Sequence, residues 1–132
     1  MKLTAYSKVR LMENALRWEV DKDYFDPIFN YLVYGWEPGS FFTSLLANDF
    51  FGAVQHSHPA NSIPALKKLC GWIRDALPNA AWGSYQQVQT WSQFSDLERR
   101  TLLESAGLIY TEREEVELAL RGIEPKREPI FW

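Results

Sequence analysis

An all-α fold, one compact domain of about six to seven short helices with an extended C-terminal tail, is the class this sequence predicts. Three observations carry the prediction. Apolar residues recur at i, i+3, i+4 spacing in segment after segment; Pro, Gly and Ser mark the starts and stops of those segments; and no two runs pair as strands. Leu108-Ile109-Tyr110 is too short and isolated to build a sheet. The chain divides into a helical domain over residues 1–124 and a proline-spaced apolar tail over 125–132.

Residues 3–20 place Val9, Leu11, Met12, Ala15 and Leu16 on one helical face. Asp26-Pro27 starts a second helix: Asp accepts from orphan N–H groups at the N-cap, and Pro at the first position lacks a donor that would be unsatisfied anyway. Ile28, Phe29, Tyr31, Leu32 and Val33 are its apolar face, and Gly35 ends it. Pro38-Gly39-Ser40 then opens a third helix, predicted to run unbroken to about His56 with Phe41, Phe42, Leu45, Leu46, Phe50 and Val54 inward. After the loop His58-Pro59-Ala60-Asn61, either Asn61 or Ser62 caps a fourth helix carrying Pro64 in its first turn. Leu66, Leu69, Cys70, Ile73 and Leu77 repeat along it, and Pro78-Asn79 stops it. Three capping boxes follow: Ser84 with Gln87, Ser95 with Glu98, Thr111 with Glu114. They open helices over about 85–94, 96–106 and 112–121, with Gly107 as a left-handed C-cap of the second and Gly122 ending the third.

A chain of 132 residues buries a substantial core without staples, so one domain is expected. Its 46% hydrophobic and 23% charged residues exclude a disordered or fibrous chain. The aromatic share, 15%, exceeds what such a core normally uses, and surplus aromatic side chains are what protein-binding surfaces employ as anchors. Cys70 is the only cysteine, which precludes an intramolecular disulfide and suits a reducing cytoplasm. No run approaches the roughly 20 apolar residues that span a bilayer, so a cytoplasmic protein without a membrane partner is expected. Net charge of −3 gives no electrostatic footprint for nucleic acid, and from Asp23 to Leu66 there is no Lys or Arg at all, a stretch that repels phosphate.

Asn48-Asp49 is the least expected feature, a polar pair between Leu46 and Phe50 in an apolar run. Buried unpaired it costs several kcal/mol, so it reaches water or is satisfied. One reading is a buried lock that caps a neighbouring helix or accepts a Trp indole N–H; the other is the polar centre of a binding surface beside an aromatic groove. His56 and His58, with Asp49 upstream and Cys70 downstream, suggest transition-metal ligands, but a structural site wants four ligands at recognisable spacing, no second Cys pair is present, and a helix-terminal histidine pair explains them as well. No metal site and no cofactor is therefore assigned. No nucleophile elbow is present, Cys70 lies amid Leu69 and Trp72, and no catalytic residue is nominated. Trp82-Gly83-Ser84 reads as a tight turn whose Trp staples against Val88 or Trp91. The tail, with Pro125 and Pro129 favouring an extended form, presents Ile130, Phe131 and Trp132 to a groove on its own domain, on a second copy as a homodimer, or on a different protein.

The residues Gly35-Trp36-Glu37-Pro38-Gly39-Ser40-Phe41-Phe42, then Leu45-Leu46-Ala47-Asn48-Asp49-Phe50, and later Trp82-Gly83-Ser84 with Val88 and Trp91, resemble a pattern carried by small bacteriophage-encoded proteins of unknown function. The resemblance covers about residues 31–91. It implies an intracellular phage product, an accessory factor that modulates the host rather than a part of the virion. The expectation is thus a non-enzymatic protein that binds and inhibits a host protein by occlusion. Its contact residues are Trp36, Glu37, Phe131 and Trp132, with Asn48 and Asp49 as the polar centre. The alternative is a nucleic-acid-binding accessory protein acting through Lys67, Lys68, Arg74, Arg99 and Arg100; a metal-dependent hydrolase around His56, His58 and Asp49 ranks below it.

Overall fold

The computed structural model of the chain describes residues 14–58 and 61–108, and every regular element among them is helical. A helical turn at residues 14–17 and a 3-10 turn at Lys22–Tyr24 precede α1 (Phe25–Tyr34), α2 (Gly39–Leu46), α3 (Phe50–His56) and α4 (Ile63–Ala76). A second 3-10 turn, Asn79–Ala81, leads to α5 (Tyr85–Gln93) and α6 (Asp96–Ser105). The all-α class is therefore the one the molecule has. The expected helix over 112–121, the Thr111 capping box and the tail lie outside the described residues.

Helix α1 begins earlier than Asp26-Pro27 suggested. Tyr24 takes the cap position without a side-chain bond, Asp26 sits in the first turn where the helix dipole favours an acid, and Pro27 still occupies a turn whose N–H groups have no intrahelical partner. Its exit is as read: Gly35 adopts φ 70°, and its N–H donates to the Tyr31 carbonyl at 3.0 Å. The largest correction falls on the segment read as a single helix to His56. Ala47-Asn48 form a turn, Asn48 takes φ 62°, and Asp49 caps a new helix by accepting from the Gly52 N–H at 2.9 Å. Asn tolerates the left-handed region and Asp favours N-caps, so the polar pair ends one helix and starts the next. The inward face divides accordingly. Phe42, Leu45 and Leu46 are buried and Phe41 half-buried, whereas Phe50 and Val54, expected inward, are exposed.

The choice between two caps for α4 resolves to Ser62, whose Oγ accepts from Ala65 N–H at 3.2 Å, while Asn61 accepts from the Tyr24 hydroxyl at 2.8 Å. Leu66, Leu69, Ile73 and Leu77 are buried as the spacing required, and Cys70 is half-buried, its thiol pushed up by desolvation. Gly71 has a packing reason to be Gly: the Trp18 ring lies where a Cβ would stand, and its indole N–H donates to Asp75 at 2.8 Å. That contact docks the N-terminal segment on α4. Ala15 is fully buried there, while Leu16, expected inward, is 68% exposed.

Aromatic side chains fill the centre. Trp72 and Phe25 meet at 5.3 Å between ring centroids, and Tyr31 and Trp91 at 6.3 Å. Both Tyr31 polar ends are used, the hydroxyl donating to Ala81 O at 2.7 Å and the carbonyl accepting from the Trp91 indole at 3.1 Å. Burial pushes the Tyr31 phenol far up, so the ring stays neutral. Ser84 and Ser95 cap α5 and α6 as predicted, accepting from Gln87 and Glu98 N–H groups. At the end of α6, Gly107 (φ 72°) and Leu108 return N–H groups to Glu104 and Leu103, both at 2.9 Å, with Leu103 and Leu108 buried together in the core.

Candidate functional site

The helix break creates the site. Because the chain turns at Ala47-Asn48, α3 folds back against α2, and the Gly83 N–H donates to the Leu46 carbonyl at 2.7 Å, pinning the start of α5 at the same place. Gly83 adopts φ 127°, a conformation other residues rarely take, so the Trp-Gly-Ser turn requires its glycine. Between the three helices lies a cleft of about 310 Å³ lined by Glu37, Gly39, Ser40, Thr43, Ser44, His56 and Tyr85. The α1–α2 connection and α2 supply the first five, the end of α3 supplies His56, and the first residue of α5 supplies Tyr85.

A directed chain of hydrogen bonds forms one wall. The Tyr85 hydroxyl donates to Asp49 Oδ2 at 2.5 Å, and Ser44 Oγ lies 3.1 Å from the Tyr85 oxygen. A phenol has one proton, and here it is committed to the carboxylate, so Ser44 is the donor of the second bond. Asp49 Oδ1 meanwhile accepts from Gly52 N–H. The Asp49 carboxyl is held below the usual carboxylate range, first by the Tyr85 hydroxyl, then by the Gly52 amide, with His56 adding a weaker favourable contribution against the cost of desolvation. Gly52 leaves room for this arrangement: a Cβ there would run into the Asp49 carboxylate and stand 3.0 Å from Ser44 Oγ.

No family model, no curated protein and no solved structure matches this chain. What the site can do therefore follows from its geometry alone.

The expected contact residues fall into three groups. Trp36 and Glu37 lie together on the α1–α2 connection; Trp36 is 60% exposed and stacks on Tyr34 at 5.1 Å and 30° between ring planes, and Glu37 lines the cleft. Asn48 and Asp49 divide the work of the polar pair, Asn48 facing water and Asp49 engaged as described. Of the two forms of the polar lock, capping or a Trp indole N–H, Asp49 takes the cap, of the helix it starts itself, and its second donor is the Tyr85 hydroxyl rather than an indole. Phe131 and Trp132 lie outside the described residues. Tyr85, Ser44 and Thr43 were missed, since nothing in sequence order places the start of α5 beside the middle of α2. The one available signal was Trp82-Gly83-Ser84, which marks a constrained turn but not its neighbour.

The residues of the two other readings separate. Arg99 is 4% exposed and is no surface phosphate contact: its guanidinium donates to the Val33 carbonyl at 3.2 Å, to the Phe94 carbonyl, and to Asp96. Lys68 pairs with Glu19 at 3.2 Å and Arg100 with Glu104 at 2.9 Å, which leaves Lys67 and Arg74, two exposed cations two turns apart on α4, as a small footprint for phosphate. Among the described residues no three His, Cys, Asp or Glu side chains gather as a metal-holding group, His56, His58 and Asp49 included. Among the same residues no helix is long and apolar enough to cross a membrane.

Proposed function

We propose that this chain is a small non-enzymatic accessory protein of the bacteriophage type that binds a host protein and inhibits it by occlusion. The observation that carries this reading is Trp36, a large apolar side chain standing 60% in solvent yet held by its stack on Tyr34. An aromatic anchor already fixed in one orientation loses little conformational freedom on binding, and Trp is the residue type most enriched at interface hot spots. Exposed Phe51 and Phe50 on α3 add apolar surface within the same stretch, Asp23 to Leu66, in which no Lys or Arg occurs. Such a surface repels nucleic acid and favours a partner with apolar and basic groups.

The test is affinity capture from bacterial lysate at low and high salt, comparing the wild-type chain with Trp36→Ala. A host protein retained at high salt by the wild type and lost with Trp36→Ala, whose thermal midpoint stays unchanged, is the expected result. Recovery of salt-sensitive nucleic acid alone, or equal capture by both chains, overturns the reading.

A further inference from the structure

The cleft lined by Glu37, the neighbour of Trp36 in sequence, has an electrostatic polarity of its own. In the bond chain along its wall the protons run one way: Ser44 gives its hydroxyl proton to Tyr85, and Tyr85 gives its proton to Asp49. What Ser44 and Tyr85 have left to offer is oxygen lone pairs. Glu37 adds a carboxylate, Ser40 and Thr43 add hydroxyls that can also accept, and the lining includes His56 but no Lys or Arg. A lone acidic group on a surface would carry no ligand preference. Here a cavity of about 310 Å³ is lined by Glu37, His56 and four hydroxyl-bearing side chains, two of which, Ser44 and Tyr85, have their protons committed to the chain that ends on the Asp49 carboxylate.

We propose that this cleft receives the guanidinium of an arginine presented by the partner protein. Guanidinium has five N–H donors in one plane, accepts nothing, and keeps its charge, so it matches a pocket that supplies acceptors in several directions and one carboxylate. Glu37 supplies the charge-assisted contact, and the Ser44 and Tyr85 oxygens supply further acceptors. Asp49 acts at one remove: by holding the Tyr85 proton it keeps both oxygens in the accepting state. The inference rests on the protein-binding reading and names the chemistry of the partner.

The experiment is a titration of the isotope-labelled full chain with N-acetyl-arginine-amide, followed by amide chemical shifts, beside the neutral isostere N-acetyl-citrulline-amide. Saturating shifts confined to the amides around Ser40, Thr43, Ser44 and Tyr85, several-fold weaker with the citrulline compound, are expected. Glu37→Gln, which alters an exposed side chain, should weaken the arginine response without moving the thermal midpoint. Tyr85→Phe, which frees the Ser44 proton, should weaken it too. Absence of saturating shifts, or equal shifts from the citrulline compound, overturns the inference. The two readings fail separately: a partner lost with Trp36→Ala but held equally by Glu37→Gln sinks the arginine site and leaves protein binding standing.

Discussion

Asn48 and Asp49 stand next to each other and do different jobs with short polar side chains. Asn48 pays the conformational cost of a left-handed turn at φ 62°, which Asn bears better than most residues with a Cβ. Asn48→Gly should therefore leave stability unchanged or raise it slightly, whereas Asn48→Ala should lose about 1 kcal/mol, read from urea midpoints. Asp49 gives a pH signature. Its folded pKa lies below the unfolded value, so its contribution is fully present above the ordinary carboxylate pKa and is lost as pH falls through the depressed one. Between about pH 5 and pH 2 the urea midpoint of the wild type should fall more steeply than that of Asp49→Asn, which can still cap α3 but has no charge to lose. Equal slopes would show that the Tyr85 bond does not favour the ionised form. The pair was visible in the sequence as an anomaly, but the break was not. Phe42, Leu46, Phe50 and Val54 keep a four-residue spacing straight through it, and periodicity alone reads a continuous helix.

Helix ends were the most legible elements, because the groups that satisfy them are close in sequence. Gly35, Ser62, Ser84, Ser95 and Gly107 all terminate or cap helices where their side chains, or lack of one, suit the orphan backbone groups. Contacts between elements were not legible. Arg99 looked like one of several surface cations on a charged helix, yet it ties the start of α6 to the last turn of α1 and to the end of α5 through the Val33 and Phe94 carbonyls. Removing it leaves both acceptors without their donor and a void beneath α6. Arg99→Met is expected to cost about 2–4 kcal/mol in urea unfolding. Arg99→Lys should recover little of it, since a single ammonium cannot reproduce the planar fork that reaches two carbonyls and Asp96 at once. Full recovery by Lys would mean that charge, not donor geometry, holds α6.

At the scale of the molecule the aromatic side chains of the described residues run from fully buried to solvent-exposed, a division that composition could not show. Trp72, Trp91 and Tyr31 are fully buried and knit the helices together, whereas Trp36 and Phe51 stand in solvent on the stretch from Asp23 to Leu66 that has no Lys or Arg. The division follows from what surrounds each ring. A buried indole or phenol usually finds a partner for its polar atom, and Tyr31 and Trp91 do so across long stretches of sequence, at Ala81 O and Tyr31 O. Trp36 rests one face on Tyr34 and leaves the rest of its surface to water. Stability and binding should therefore part cleanly on mutation. Tyr31→Phe keeps the ring and removes only the donor to a buried carbonyl, so it should lower the urea midpoint by the equivalent of about 1–3 kcal/mol while leaving partner capture per folded molecule intact. Trp36→Ala should do the reverse, with an unchanged midpoint and lost capture. If Trp36→Ala instead destabilised the fold as much as Tyr31→Phe, the Trp36–Tyr34 stack would be part of the scaffold, and the exposed anchor would have to be sought on α3 at Phe51.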